Sequence, residues 1–354
     1  MKNTGFIYEP LKPEDWTFGS SGLGEKARRP DTNWTAYLPT SEKQKRGDTD
    51  KKWCVTASAL NVIETELFYA IKEKIIPAKD LEWLEKNGYL DEYGKPDFSD
   101  RYTAIASGTT GHGNSARKVA YAIGTRKNKS KEYGLIPEKM LPYRKAMSWK
   151  ECYGYSEYDR PNTRLITEEM RNLGQEFLSR FPIYYEFVNG GKRAFDRARK
   201  YNPLQVFVYA WNGTKRGVYI RTTAGINHAV ENHNTNQIFD TYNPFIKTLA
   251  SDFIYLDYGV RYIIGTGKEV KKKVMSQEEL DKLYKLGLHR LPDNSAKPYL
   301  QYNKDFVINE ILKSEEWEKI NKILNWAKGN SVFNVFSLLE LRGVIEKWKK
   351  LRGE

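Results

Sequence analysis

Cysteine is scarce in this sequence, and long apolar runs are absent from it. Among 354 residues there are two cysteines, Cys54 and Cys152, so no disulfide framework is implied and the fold does not depend on an oxidising compartment. No stretch reaches the ~18 consecutive apolar residues of a membrane-spanning helix, and the N-terminus lacks the apolar core of a signal peptide. These absences predict a soluble, cytoplasmic protein without a membrane span or a standard export signal.

Histidine is also rare, and the four histidines form no recognised metal-binding pattern. His228, His233 and Asp240 could supply ligands, but their spacing matches no zinc motif and no cysteine pair accompanies them. The glycines around His112 fit neither the Walker motif nor the dinucleotide-binding motif. We therefore expect neither a metal ion nor an organic cofactor.

Positive charge is in excess, with a formal net charge of +13. The lysines and arginines are scattered among acids, apart from short basic runs at 126–131, 271–273 and 347–350. None of these runs is interleaved with aromatic residues along a stripe, and no nucleic-acid-binding module is recognisable. The basic runs are therefore interpreted as solvated loops and a linker, and nucleic acid is not predicted as a partner.

Helical patterns come first along the chain and strand patterns follow, which is typical of an α+β fold. The patterns predict helices at 54–75, 78–88 (ended by Gly88), 115–124, 167–181 and 194–200. Runs rich in β-branched and aromatic residues predict antiparallel strands at 204–211, 217–221, 227–231, 237–242 and 260–264.

The same patterns divide the chain into three regions. Residues 1–45 are predicted to form an extended arm laid over the core, and residues 46–267 to form the main domain. A lysine-rich linker near 268–275 precedes apolar residues at helical spacing, so residues 268–354 are predicted to be a linker and a small all-α domain.

Cys54 follows a polar, glycine-containing stretch and opens an apolar helical run. A thiol at a helix N-terminus faces free backbone N–H groups, which favour the thiolate. His228 lies in a short apolar strand, and Asp240 lies on the next one. A nucleophile, a base and an orienting acid in this order indicate a cysteine hydrolase, although a buried cysteine and a core histidine are the structural alternatives.

Several segments, taken in order, resemble those of papain-like cysteine peptidases over residues 12–265. They are Lys51-Lys-Trp-Cys54-Val-Thr-Ala-Ser-Ala-Leu-Asn61, Phe98–Thr103, Gly111–Ser115, Tyr133–Tyr143, Asn202-Pro-Leu-Gln-Val-Phe-Val208, Asn227-His-Ala-Val230 and Ile238-Phe-Asp-Thr-Tyr242. The resemblance implies a two-lobed papain-like fold, with one helical lobe, one antiparallel β-barrel-like lobe and a cleft between them. It also implies thiol-dependent hydrolysis of a polypeptide substrate.

The resemblance assigns a role to each candidate residue. Cys54 would be the nucleophile and His228 the general base, while Asp240 would orient the imidazole where the family usually has asparagine, with Asn243 as the alternative. Gln44 would donate to the oxyanion. Residues implied to line the cleft are Gly113, Asn114 and Asn227.

The sequence departs from the family in several ways. The connection from Gln44 to Cys54 is long, and Asp48 stands where counting would place the glutamine. The family's disulfides and a long inhibitory propeptide are missing. Two other functions therefore stay open: a catalytically silent papain-like module that serves as a structural or docking part of a virion, and a cell-wall peptide amidase.

The C-terminal region carries a second resemblance. Residues 278–293 and 305–316 are similar to a small helical module found in bacterial surface proteins and bacteriophage structural proteins. This likeness implies a phage-encoded or virion-associated enzyme whose C-terminal helices bind a virion or cell-surface protein. A plain helical cap is the alternative.

Overall fold

Most of the helices precede the large sheet along the chain. The computed structural model describes residues 5–265 except 13–14, 20–26, 42, 47–48, 126–132, 145–146, 155–162, 210–213, 221–225 and 254. The predicted linker and C-terminal helices, all three basic runs and Asp48 lie outside the described residues.

The described helices are α1 (Cys54–Lys72), α2 (Ala78–Asn87), α3 (Asp100–Ser107), α4 (Ala116–Ile123), α5 (Trp149–Tyr153), α6 (Glu168–Arg180) and α7 (Gly191–Ala198).

The main sheet is antiparallel and has six strands. In chain order the described strands are β1 (Lys45–Arg46), β2 (Thr49–Asp50), β3 (Ile183–Asn189), β4 (Leu204–Tyr209), β5 (Thr214–Lys215), β6 (Val218–Tyr219), β7 (Ile226–Asn234), β8 (Gln237–Phe239), β9 (Ile246–Thr248) and β10 (Tyr255–Ile264). The six-stranded sheet has the order β3-β10-β4-β7-β8-β9, while β1–β2 and β5–β6 form separate two-stranded hairpins. The predicted α+β class with an antiparallel sheet is confirmed.

Helix α1 is the central element of the core. Its length and composition would allow it to cross a membrane, but 94% of its most apolar window is buried inside the protein. Its side chains from Cys54 to Ala70 are buried, and they pack mainly against β7 and β10. Burial on nearly every side explains why the apolar residues of this helix are not confined to one stripe.

Several predicted boundaries agree with the structure, and others need correction. Helix α2 ends at Gly88, which adopts the left-handed conformation with φ of 74°. The side chains of Ser115 and Thr167 cap α4 and α6. The predictions missed α3, α5 and the strands β1, β2, β3, β5 and β9. They extended β8 to residue 242, whereas it ends at Phe239, and they began β10 five residues late, at 260 and not at 255.

Residues 27–41 pack on the main domain through aromatic side chains. Trp34 is fully buried, and its indole N–H donates to the carbonyl of Arg199 at 2.7 Å. Trp34 and Tyr37 both contact Tyr69 of α1 edge-on. This part of the predicted arm therefore lies against the core as an extended segment with a single short 3-10 turn at Thr35–Tyr37.

The chain divides into two compact units. The first comprises Met1–Leu11 and Leu23–Glu269, and the second comprises Lys12–Gly22 and Val270–Glu354. In the described part of the second unit, the Lys12 backbone N–H donates to the Asp15 carboxylate at 2.7 Å, which closes a turn. The segment predicted as one arm thus contributes to both units.

Candidate functional site

Cys54 is the first residue of α1, where the chain turns from an irregular loop into the helix. The loop is held in place by Lys51, which is buried, donates through Nζ to the Met147 carbonyl, and accepts at its own carbonyl from Tyr153 Oη at 3.1 Å. Trp53, the residue before the helix, packs edge-on against Tyr143. As the first helical residue, Cys54 presents a backbone N–H that has no acceptor within the helix.

His228 and Asp240 meet across the hairpin formed by β7 and β8. His228 lies on β7, and Asp240 directly follows β8. The His228 Nε2 and Asp240 Oδ1 atoms are 2.7 Å apart, and both residues are buried. Asn243, the alternative orienting residue, is exposed, so the structure gives His228 the carboxylate partner.

The Cys54 side chain is near enough to the His228 ring to interact with it, both electrostatically and as a hydrogen-bond partner. Because Nε2 is directed at Asp240, the other ring nitrogen, Nδ1, is the one that remains for the sulfur. Burial alone would lower the pKa of His228, but the negative Asp240 carboxylate and its hydrogen bond, with a smaller contribution from Cys54, raise that pKa to about 10. The structure therefore brings the three predicted residues together, with His228 between Cys54 and Asp240.

Asp240 is buried yet ionised. Burial raises its pKa, but His228 and then Lys247 favour the charged form, and the net effect lowers the pKa of Asp240 below its usual value. The Lys247 Nζ atom lies 2.7 Å from Asp240 Oδ2. No sequence pattern marks Lys247, because a single lysine between Ile246 and Thr248 is not distinguishable from a surface lysine of an edge strand.

Gln44 lies beside this group, but its amide is already engaged. The Gln44 Nε2 atom donates to Asp50 Oδ1 at 2.7 Å and to the Tyr242 hydroxyl at 3.0 Å. Its Oε1 atom accepts from the Thr241 hydroxyl at 3.3 Å. Tyr242 in turn donates to Asp50 Oδ2 at 2.6 Å, so both hydrogens of the predicted oxyanion donor are bound to other groups in this structure.

Residues 5–10, which we call the cover segment, lie over Cys54. A Cβ atom built on Gly5 would lie 3.0 Å from the Cys54 sulfur, so the Gly5 backbone rests on the thiol. Phe6 is 5% exposed and stacks on Phe207 of β4 with ring centroids 4.3 Å apart. Cys54 itself is fully buried.

The glycine-rich loop holds the cover segment by backbone hydrogen bonds. The Asn114 N–H donates to the Gly5 carbonyl at 3.0 Å, and the Ile7 N–H donates to the Asn114 carbonyl at 2.8 Å, in a parallel pairing. A Cβ on Gly113 would lie 2.1 Å from the Gly5 carbonyl oxygen, so only glycine permits this approach. At the far end of the segment, Arg117 of α4 binds the Glu9 carboxylate at 3.2 Å.

The three residues predicted to line a cleft therefore have different surroundings. Gly113 and Asn114 contact the cover segment next to Cys54, and the Asn114 side chain donates to Ser107 and Thr109. Asn227 is half-buried and precedes His228, where the pairing of β7 with β4 shifts register.

The remaining candidates lie apart from this group. Cys152 is buried, and burial raises its pKa to about 11. His233 is fully buried on β7, and its pKa is lowered to about 3 by burial and by the nearby Arg199 cation. Within the described parts of the chain, no three His, Cys, Asp or Glu side chains are grouped so that they could hold a metal ion.

Comparison with known proteins gives structural likeness only. No protein-family model matches the sequence, and no curated protein matches it. Procathepsin B S9 from Trypanosoma congolense is similar over 75% of this chain and 88% of its own, with 10% identity and a TM-score of 0.45. Xylellain, a cysteine protease from Xylella fastidiosa, is similar over 75% of this chain and 97% of its own, with 12% identity and a TM-score of 0.42. Likeness at this level does not assign an activity.

Proposed function

We propose that this protein hydrolyses peptide bonds with Cys54 as nucleophile, His228 as general base and Asp240 as the residue that orients His228. The observation that carries the proposal is that Cys54, at a helix start, interacts with His228, whose Nε2 atom lies 2.7 Å from Asp240 Oδ1. A thiol, an imidazole and a carboxylate linked in this order are the functional groups that covalent acyl transfer needs.

In the proposed reaction the Cys54 sulfur, after giving its proton to His228, attacks the carbonyl carbon of the scissile bond. The protonated imidazole then delivers this proton to the leaving amine as the C–N bond breaks, and a thioester remains on the sulfur. His228 next removes a proton from a water molecule that attacks the thioester, releasing the carboxylic acid and restoring the thiol. No redox partner is needed.

The oxyanion of this reaction needs donors near the helix start. The Cys54 backbone N–H is one candidate, because it has no acceptor within the helix. Gln44 is the other, and it could serve only after exchanging its hydrogen bond to Asp50 or to Tyr242 for one to the substrate. Gln44 therefore stays a proposed donor whose amide must first be released.

Substrate access requires that the cover segment move. Gly5 lies on the thiol and Phe6 on Phe207, so a substrate carbonyl cannot approach the sulfur while these contacts persist. We infer that the structure represents a covered form of the enzyme and that residues 5–10 leave this position before or during substrate binding.

The test is hydrolysis of an unfolded protein substrate by the purified chain and two cysteine variants. Cys54→Ala is expected to lower kcat/KM by about a thousandfold or more, because the nucleophile is lost. Cys152→Ala is the matched control, since Cys152 is an equally buried thiol in a different cluster of aromatic side chains. Cys54→Ala retaining the rate of the parent would refute the assignment.

A catalytically silent docking module is the second candidate, and one observation favours it. The Cys54 thiol is 0% exposed, as expected of a cysteine that serves only as a small core residue. Under this alternative Cys54 would be no more reactive than Cys152 once the cover segment is gone. Cell-wall amidase activity, and attachment to a virion or cell surface through residues 268–354, stay predictions from the sequence.

A further inference from the structure

Lys247 of β9 is a buried cation that the proposed reaction does not use. Its side chain is 2% exposed, and its Nζ atom lies 2.7 Å from Asp240 Oδ2. The same ammonium donates to the carbonyl oxygens of Tyr242 and Pro244. Burying a charge costs several kcal/mol unless it is paired and hydrogen-bonded. The position of Lys247 is therefore closely specified by the Asp240 carboxylate and by the carbonyl oxygens of Tyr242 and Pro244.

Lys247 completes the hydrogen bonding of the Asp240 carboxylate. One oxygen, Oδ1, accepts from His228 Nε2 and from the Thr241 backbone N–H, both at 2.7 Å. The other oxygen, Oδ2, accepts from Lys247. With both oxygens engaged, the carboxylate is held in the orientation that directs Oδ1 at the imidazole.

The buried charges balance only when Lys247 is included. With the proton on His228 and the thiolate on Cys54, the site carries two negative and two positive groups, Asp240 and Lys247 being the second pair. Without the ammonium, a buried carboxylate would face the imidazolium with a net negative charge left over, which a poorly solvated site disfavours.

Other polar groups face this pair from neighbouring elements. The Tyr219 ring of β6 lies 5.6 Å from the Lys247 ammonium. Tyr242 is near His228, with ring centroids 5.5 Å apart, and it donates its hydroxyl hydrogen to Asp50 of β2. The negative charge of Asp50 is thus held by Tyr242, Gln44 and Lys52, and not by Lys247.

Resting on the proposed function, we propose that Lys247 is a positioning residue of the peptidase site. Its ammonium keeps Asp240 ionised and oriented, so that Asp240 presents His228 with a fixed hydrogen-bond acceptor.

The proposed role of Lys247 predicts the direction in which its loss shifts the pH dependence of activity. Lys247 is one of the groups that lower the pKa of Asp240 against the opposing effect of burial. Removing the ammonium raises the pKa of Asp240, so the carboxylate takes up a proton at a higher pH. The acid limb of the activity profile is then displaced toward neutral pH.

The experiment compares the full-length parent with Lys247→Met, Asp240→Asn and the double variant. Lys247→Met is expected to lower kcat/KM by about 10- to 100-fold and to move the acid limb upward. The double variant has lost both buried charges together, so it should be more active than either single variant. Lys95→Met is the matched control, because Lys95 donates to a backbone carbonyl, that of Leu38, and its substitution should change neither quantity.

A second readout needs no turnover. The imidazole NMR signals of His228, assigned by their loss in His228→Gln, report when the hydrogen-bonded Asp240 takes up a proton. In Lys247→Met this transition should move to higher pH, and in Asp240→Asn it should vanish. If the parent hydrolyses no peptide, the proposed function fails while this transition still decides the role of Lys247.

Two results would overturn the proposal. One is a Lys247→Met variant whose Asp240 transition stays at the pH of the parent, since a merely structural lysine would change only thermal stability. The other is a double variant that is no more active than the more active of the two single variants. Should Lys247→Met fail to fold, the comparison of Asp240→Asn with the double variant still tests the compensation.

Discussion

At the scale of single residues, the buried Asp240 carboxylate both helps and hinders His228, because it stabilises the protonated imidazole next to it. Asp240 strengthens the base by stabilising the imidazolium form, and the pKa of His228 rises to about 10 as a result. A base held so firmly in its protonated form transfers protons less readily near neutral pH. The nearby ammonium of Lys247 reduces the net negative charge that His228 experiences, which connects a structural detail of β9 to the chemistry at Cys54.

A second buried histidine, His233, affects the stability of the fold and not the proposed catalysis. Among the described residues neither of its ring nitrogens has a hydrogen-bond partner, and its pKa is lowered from 6.5 to about 3 by burial and by Arg199. Between these pH values the unfolded chain binds a proton at this position that the folded protein excludes. The folded state therefore loses about 1.4 kcal/mol per pH unit from this group as the pH falls through the window.

We predict that His233→Leu removes this part of the acid sensitivity. The free energy of unfolding, measured with a chemical denaturant at pH 7 and at pH 5, should fall less on acidification in the variant than in the parent. His112→Leu is the control, since His112 lies in an exposed loop. An identical fall in the parent and His233→Leu would show that His233 already carries its proton when folded.

At the scale of elements, three pieces of secondary structure assemble the site. Helix α1 supplies Cys54 at its start, the β7–β8 hairpin supplies His228 and Asp240, and β9 supplies Lys247. Since α1 packs against β7 along its length, the position of the thiol relative to the imidazole is set by the burial of an apolar helix on a sheet. Such a site tolerates little change in core packing, because a shift of the helix start displaces the sulfur.

The cover segment is the element whose removal should change activity most. Its apolar anchor is Phe6, and truncating a buried phenylalanine costs about 3 kcal/mol or more, which corresponds to roughly a hundredfold in the ratio of covered to open forms. We predict that Phe6→Ala raises kcat/KM for peptide hydrolysis. Tyr8→Ala is the matched control within the same segment, because Tyr8 is 55% exposed and should contribute little to docking. An unchanged or lower rate for Phe6→Ala would contradict the covering role of residues 5–10.

At the scale of the whole molecule, the sequence predicted those features that depend on neighbouring residues along the chain, namely several helix ends, several strand positions and the fold class. The start of α1 at Cys54 follows from a polar stretch that meets an apolar run, and the end of α2 follows from Gly88 in the left-handed region. The strand that carries His228 and the strand that ends just before Asp240 were recognisable from their apolar and aromatic content. The α+β class followed from the order of these elements along the chain.

Other features depend on tertiary contacts that no local pattern records. The placement of Gly5 on Cys54 requires the fold to bring residues 5–6 to the 113–114 loop, so the N-terminal region was predicted only as an extended arm. The pairing of Lys247 with Asp240 arises from the register of β9 against β8. Gln44 was predicted to donate to the oxyanion, whereas its amide donates to Asp50 and Tyr242, and Tyr242 lies far from Gln44 along the chain.

The central claim is that Cys54 is a nucleophile made reactive by His228 beneath a removable cover. The most direct measurement is the rate at which a peptidyl thiol-directed electrophile labels each cysteine, mapped by mass spectrometry in the full chain, in Phe6→Ala and in Phe6→Ala/His228→Ala. We predict labelling of Cys54 well ahead of Cys152, faster in Phe6→Ala than in the full chain, and reduced to the rate of Cys152 when His228 is also replaced. Labelling of Cys54 in Phe6→Ala that is no faster than that of Cys152, or that is unaffected by the loss of His228, would contradict the account.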